Sequence, residues 1–237
     1  MNKLTQEHIE ELFAFTQKHY VEWYDLQSEL VDHLANGIEY QWEENPDLSF
    51  EKALQIEFKK FGVFGFMDVV EERQKSLGKK YSKLIWKHTL EFFKLPKILL
   101  LILFSVATFY LLRLISVSAD YLSAVIVILF IGYFIKLSVS YFRERKRSQE
   151  SDEKKWLFKD IIMQHGAGFG LGLIPIHFFN MLIPNTNSFA SMNLWVVRII
   201  SFLFVLMCVM LYVMQVVIPK KMEEYLEETY PEYKLVA

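Results

Sequence analysis

Cysteine is almost absent from this sequence: Cys208 is the single one among 237 residues. One cysteine excludes an intramolecular disulfide and a metal site built from cysteines. The chain also lacks a nucleophile elbow, a zinc-ligand motif and a phosphate-binding loop. We therefore expect no enzymatic activity, no catalytic residue, no cofactor and no bound metal.

Basic residues are scarce in the N-terminal third. Residues 1–78, here called the head, carry 7 Lys and Arg against 16 Asp and Glu. Because phosphate binding needs a basic face, this acidic segment argues against nucleic acid as a direct partner. No apolar run follows Met1, so we also expect no cleaved signal peptide.

Long apolar runs, in contrast, are abundant after the head. The predicted transmembrane helices are residues 97–118, 121–142, 157–183 and 192–218. At about 1.5 Å per residue, a helix of this length crosses a hydrocarbon core of about 30 Å. The alternative is a set of buried helices in a soluble core. We predict an all-α protein: a four-helix transmembrane bundle of two hairpins in a lipid bilayer, carrying a small helical bundle at its N-terminus.

The loops between these runs differ in charge. Lysine and arginine are missing from residues 117–120 and 184–191, whereas they cluster in residues 79–97 and 143–159 and recur at Lys220 and Lys221. Basic loops stay in the cytoplasm. We therefore expect a multi-pass protein of the bacterial cytoplasmic (inner) membrane with both its N-terminus and its C-terminus in the cytoplasm.

Several polar side chains fall inside the predicted spans near their outer ends or, for Asp120, in the turn between the first two spans. They are Arg113, Asp120, His177, Asn180 and Arg198. Buried polar groups in a membrane are costly and often functional, so this cluster is a candidate site for a small ligand, an ion or a proton. The simpler alternative is that the long basic chains reach the interface and the others form interhelical hydrogen bonds.

Small residues recur in the third span. They are Gly166, Gly168, Gly170 and Gly172, followed by Pro175. Glycines four apart allow close helix packing, and proline adds a kink. A broken helix of the transporter kind is the alternative interpretation.

The sequence of the head predicts a set of short amphipathic helices. Thr5 and Ser49 are predicted helix caps, and Pro46 ends a helix that covers residues 22–44. One side of that helix is apolar. Its other side carries carboxylates, which we predict to be a partner-binding face: Glu22, Asp25, Glu29, Asp32, Glu39 and Glu43.

Residues 79–96 are predicted to form a separate amphipathic helix next to the membrane. One face carries Tyr81, Leu84, Ile85, His88 and Phe92, and lysines surround it. This pattern is typical of a helix that lies on an anionic bilayer, although a continuation of the head is the alternative. The tail, residues 219–237, is predicted to pack either on the head or on a partner.

Three stretches of the head carry a family resemblance: Glu29–Leu34 with the sequence Glu-Leu-Val-Asp-His-Leu, then Asn45–Leu54, then Phe58–Gly62. They resemble the HAAS domain, the helix-turn-helix-associated α-helical signalling domain, and related domains that precede ABC-type permeases. The resemblance implies a bacterial inner-membrane protein that signals through a cytoplasmic partner such as a PadR-type transcriptional regulator.

Two functions are compatible with these observations. The first is a membrane sensor, regulator or scaffold whose cytoplasmic helical domain binds a partner protein, such as a transcriptional regulator or a permease. The second is an accessory subunit of a transport or membrane-assembly complex, which would need a homo-oligomer or a larger partner.

Overall fold

The computed structural model describes residues 3–115, 154–166 and 192–236, together with scattered positions between 132 and 147. Helix makes up 82% of it, and the described residues contain no strand. The all-α class is therefore confirmed for this part of the chain.

Its helices alternate with short turns. In chain order they are α1 (Gln6–Lys18), α2 (Tyr24–Glu44), α3 (Phe50–Lys59), α4 (Met67–Leu90), α5 (Lys97–Ile115), α6 (Leu157–Gly166), α7 (Leu194–Tyr212), α8 (Met222–Thr229) and α9 (Tyr233–Val236). A 3-10 turn, Glu91–Phe93, follows α4. A π-helical segment, Val213–Val217, and a last turn, Ile218–Lys220, continue α7.

Polar side chains start the first and third helices, as predicted. The Thr5 hydroxyl accepts from the His8 backbone amide, and the Ser49 hydroxyl accepts from the Lys52 amide, so each satisfies an amide that the helix leaves unpaired. After α2, the Trp42 indole donates to the Leu48 carbonyl over 2.8 Å and closes the turn around Pro46.

The chain divides into two compact units. Unit 1 contains Met1–Lys79, Asp152–Ile161 and Leu226–Ala237, and unit 2 contains Lys80–Ser151 and Ile162–Tyr225. The first segment of unit 1 ends at Lys79 and contains the residues here called the head. The unit is larger than the head, however, because a segment before α6 and the end of the tail belong to it.

Apolar side chains from all three segments form the core of unit 1. The fully buried ones are Leu12, Val21, Leu26, Leu34, Ile38, Ala53, Phe66, Leu157, Phe158 and Leu226. Since α1–α3 alone supply only part of this core, the tail packs as a structural element of unit 1. The sequence left open whether the tail packs on the head or on a partner. In the structure, residues 226–236 pack within unit 1, which contains the head.

Helix α4 differs from the prediction. It runs without a break through Gly78, although we predicted a boundary there between the head and an amphipathic helix of residues 79–96. The apolar face predicted to meet the membrane is buried in unit 2: Tyr81, Leu84, Ile85 and His88 are each less than a tenth exposed. A glycine within a helix costs only about 1 kcal/mol, which neighbouring contacts can outweigh.

In unit 2, α5 and α7 pack against each other. Val197 is buried between Phe109, Leu112, Met192 and Ile200. One helix, Leu194–Lys220, is long and apolar enough to cross a membrane, and α4 with α5 would pass the same test only as a bent pair. The second predicted span and most of the third lie outside the described residues, so the structure supports a helical bundle with one candidate span.

Candidate functional site: an apolar groove on unit 1

A groove of about 820 Å³ opens on the surface of unit 1. Its walls come from the end of α1, the start of α2, the turn before α4 and the first turns of α4. The lining residues are His19, Tyr20, Trp23, Phe64, Met67, Asp68, Val70, Glu71 and Gln74. Tyr20 is 83% exposed, Phe64 68% and Met67 63%, so the groove presents large apolar side chains to solvent.

The backbone turns Tyr20 outward. Helix α1 ends at Lys18, and Tyr20 adopts the left-handed conformation with φ of 66°. The Val21 amide then donates to the Thr16 carbonyl, which buries Val21 directly beside the exposed ring. A non-glycine residue in this conformation costs roughly 1–2 kcal/mol. The backbone at Tyr20 therefore carries this cost while the side chain is exposed, a combination that makes Tyr20 a candidate functional residue.

The opposite wall is a turn built on two glycines. Gly62 and Gly65 have φ of 79° and 57°. A Cβ on Gly65 would lie 3.0 Å from Cζ of Phe58, so this position also needs glycine for space. Between the two glycines the chain presents Phe64, and after them it buries Phe66.

An aromatic cluster holds this turn in place. Phe66 meets the rings of Phe58 and Phe61 at 5.0 and 4.8 Å between centroids, and Phe15 and His19 of α1 join the cluster. Edge-to-face ring pairs of this kind each add about 0.5–1.5 kcal/mol beyond their buried area. The groove walls are therefore tied to the core of unit 1.

Negative charge rims the groove. Asp68 and Glu71 stand exposed on α4 at its edge. Burial and the neighbouring Lys18 ammonium lower the pKa of His19, so its imidazole is neutral at pH 7 and does not offset the carboxylates. The net charge of residues 1–78, with 16 acidic against 7 basic side chains, reinforces this field.

Only part of the predicted acidic face on α2 is exposed to solvent. Glu22, Glu29, Asp32 and Glu43 are exposed. Glu39 is half-buried and accepts from the Leu4 amide over 3.3 Å. The exposed carboxylates are spread along the chain from Glu22 to Glu43.

Asp25, the sixth member of that set, departs from the prediction because it is only 7% exposed. Its Oδ1 accepts from the Leu157 backbone amide over 3.1 Å. The Tyr230 hydroxyl beside it accepts from the Phe158 amide over 3.2 Å. Burial raises the pKa of Asp25, and the nearby Tyr230 hydroxyl and the Leu157 amide oppose that shift. Asp25 is a structural residue that fixes residues 154–161 and the tail to α2.

Aromatic rings surround this buried carboxyl. Trp156 packs between Tyr24, Tyr230 and Tyr233 at centroid distances of 5.5, 4.9 and 5.2 Å. Lys154 lies 3.8 Å from the centre of the Tyr24 ring. No local sequence pattern indicates this cluster, since its members come from three distant segments.

Two members of the predicted intramembrane polar cluster come together. The guanidinium groups of Arg113 and Arg198 lie 5.7 and 5.8 Å from the centre of the same ring, that of Phe109. Arg198 also lies 4.9 Å from the Trp195 ring. The other members, which are Asp120, His177 and Asn180, lie outside the described residues.

The predicted packing glycines are described at one position. A Cβ on Gly166 would lie 3.5 Å from the Met214 carbonyl oxygen, an ordinary contact distance. Gly168, Gly170, Gly172 and Pro175 lie outside the described residues. Within the described ranges, no three His, Cys, Asp or Glu side chains come together as metal ligands.

Comparison with known proteins identifies no relative of this chain. No protein-family model matches the chain, and no curated protein or solved structure matches it.

The sequence patterns did not predict the groove residues. A local signal was present for one wall only, because Val63 and Phe64 lie between Gly62 and Gly65 in a turn that is too short to bury both side chains.

Proposed function

We propose that this chain is a regulator or scaffold of the bacterial inner membrane, and that unit 1 binds a cytoplasmic protein in the groove between Tyr20, Phe64 and Met67. The observation that carries the proposal is this apolar groove with an acidic rim. A complementary partner presents an amphipathic helix with apolar anchors and flanking Lys or Arg side chains. The resemblance of the head to signalling domains points in the same direction.

Exposed apolar side chains support anchoring in a membrane. Helices α5 and α7 pack together, yet among the described residues Leu99, Leu103, Trp195, Ile199 and Leu203 are all exposed. Such a surface is unfavourable in water and favourable in lipid. Leu194–Lys220 provides one crossing by its length and composition.

The membership of unit 1 supports an even number of crossings on each side of residues 152–161. Segments that pack into one compact unit lie on one side of a bilayer, and unit 1 combines residues 1–79, 152–161 and 226–237. We therefore propose four spans in two hairpins, with both termini in the cytoplasm, because this arrangement keeps the three segments of unit 1 on one side of the bilayer.

A photo-crosslinking phenylalanine analogue in place of Phe64 tests the groove in intact cells. We expect an adduct with one cytoplasmic protein, mapped to a basic amphipathic segment, and loss of that adduct in the double variant Tyr20→Ser, Met67→Glu. The control carries the analogue in place of Tyr40, an exposed aromatic on α2 outside the groove. Adducts that are equal at positions 40 and 64, or that map to a second copy of this chain, would contradict the proposal.

The second candidate, an accessory subunit of a transport or assembly complex, is favoured by a different feature. Arg198 lines a cavity of about 320 Å³ in unit 2, together with Ser105 and Phe109. If Arg198→Leu changes a solute flux while the Phe64 adduct is unaffected, the accessory role is preferred.

A further inference from the structure

The surface of α4 within unit 2 has two opposite faces. Tyr81, Leu84, Ile85, His88 and Thr89 are buried. Two contacts fix this side: the His88 Nε2 atom lies 2.5 Å from the Tyr225 hydroxyl, and the Tyr81 ring lies 4.8 Å from the His165 ring. The rotation of the helix about its axis is thereby set, and the other residues must face outward.

The outward face is both apolar and basic. Trp86 and Leu90 are each 54% exposed, and the exposed lysines Lys83 and Lys87 each precede one of them by three residues. Residues three or four apart are neighbours on a helix surface. A tryptophan and a leucine therefore share one strip with two ammonium groups.

The strip continues past the end of the helix. Phe93 and Leu95 are exposed, and Lys94 and Lys97 stand beside them. The single carboxylate in residues 79–97 is Glu91. Its two oxygens lie 3.2 Å from His88 Nδ1 and 3.9 Å from Lys97 Nζ, so the segment offers no further carboxylate to Lys83, Lys87 and Lys94.

The bend between α4 and α5 orients the strip relative to the axis of α5. Helix Met67–Phe93 and helix Lys97–Arg113 make an angle of 85°. If α5 runs along the bilayer normal, α4 lies in the plane of the surface. Tryptophan, aliphatic and lysine side chains on one face of a helix in that plane match the boundary between headgroups and acyl chains.

We propose that the interfacial strip, which consists of Trp86, Leu90 and Phe93 with Lys83, Lys87 and Lys94, binds the anionic phospholipid surface of the cytoplasmic leaflet. The proposal rests on the membrane anchoring of the proposed function and adds a second, peripheral site to it. It assigns the lipid contact to the face opposite to the one that the sequence pattern indicated. Lysines attract acidic headgroups, and the rings and Leu90 enter the interface.

Fluorophore quenching by lipids tests the strip in the full chain. The native Cys208, on α7 and exposed among the described residues, is labelled in the wild type as a control for the bilayer. Trp86→Cys and Tyr40→Cys are labelled in a Cys208→Ser background. All three are placed in nanodiscs that contain a headgroup-proximal doxyl lipid, either in phosphatidylcholine alone or with phosphatidylglycerol.

We expect strong quenching at positions 208 and 86 and little at position 40, with quenching at position 86 increased by phosphatidylglycerol. Lys83→Gln with Lys87→Gln should remove that increase, since each lysine near an anionic surface favours binding roughly fivefold. Raised salt should have the same effect.

Three outcomes overturn the proposal, and they are distinguishable. Quenching at position 208 with none at position 86 leaves the anchoring intact and refutes the strip. The absence of quenching at both positions refutes the anchoring as well. A signal at position 86 that is equal in both lipid mixtures shows that no anionic surface is recognised, and it also contradicts the proposal.

Discussion

The backbone amide of Leu157 donates to Oδ1 of Asp25, although the two residues are 132 positions apart in the chain. The second oxygen, Oδ2, is buried without a hydrogen-bond partner in the described part of the protein. A half-satisfied carboxyl in an aromatic environment favours the protonated form. This relationship makes the link between α2 and α6 sensitive to pH.

Asp25→Asn should weaken the pH dependence of unit 1. Because burial raises the pKa of the folded carboxyl, its contribution is fully present below the unfolded pKa of about 4. That contribution is lost as pH rises through the folded pKa. Asparagine keeps the acceptor for Leu157 and does not ionise, so the variant should be at least as stable as the wild type at pH 7.

The measurement is thermal unfolding from pH 4 to pH 8, followed by tryptophan fluorescence. Asp25→Ala provides the contrast, since it leaves the Leu157 amide unpaired and should cost about 1–3 kcal/mol at pH 4, where the contribution of the wild-type carboxyl is largest. An Asp25→Asn curve parallel to that of the wild type would show that Asp25 does not carry the effect.

Tyr230 should be essential for the integrity of unit 1. Tyr230→Phe removes the acceptor of the Phe158 amide and should cost about 1 kcal/mol. Tyr230→Ala also leaves a cavity beside Trp156 and should cost about 3–5 kcal/mol. Hydrogen exchange should report the loss as faster exchange in α2, which is distant from the mutation in sequence. Unchanged protection of α2 in Tyr230→Ala would mean that the tail is dispensable.

Tyr20→Gly should separate stability from binding. Glycine adopts φ of 66° without strain but loses more entropy on folding, so we expect unit 1 to gain up to about 1 kcal/mol. The Phe64 adduct should nevertheless weaken, because one wall of the groove is missing. Tyr20→Asn, which also tolerates this conformation, serves as the control with a side chain. A loss of stability in both variants would show that the Tyr20 ring is a packing element.

Gly65→Ala and Gly62→Ala form a matched pair. Both glycines have positive φ, but a Cβ on Gly62 meets nothing within 4 Å, whereas one on Gly65 meets Phe58. Gly62→Ala should therefore cost about 1 kcal/mol from backbone strain alone, and Gly65→Ala should cost more. Denaturant unfolding measures both. Equal costs would mean that the Phe58 ring moves aside freely.

Local chemistry made part of this structure predictable. Thr5 and Ser49 cap their helices where the sequence indicated, and the apolar run after Asn193 forms a long helix. These features depend on neighbours within a few residues. The alternation of Leu26, Leu30 and Leu34 likewise identifies the buried side of α2.

Contacts between residues far apart in the chain determine the features that the sequence pattern did not predict. By its spacing, Asp25 falls on the polar side of α2. It is buried because the distant residues Leu157 and Tyr230 pack against it. Gly78 and the change from acidic to basic residues suggested a boundary, but the backbone of α4 passes through both. The groove could not be predicted for the same reason, since its walls come from α1, α2 and α4.

The membership of Leu226–Ala237 in unit 1 has a consequence for biosynthesis. A ribosome exposes α1–α3 long before it has made Tyr230, so these helices must wait with an incomplete core until residues 226–237 are translated. During that interval their aromatic residues are open to chaperones. A premature stop codon before residue 226 would therefore impair helices that were made some two hundred residues earlier.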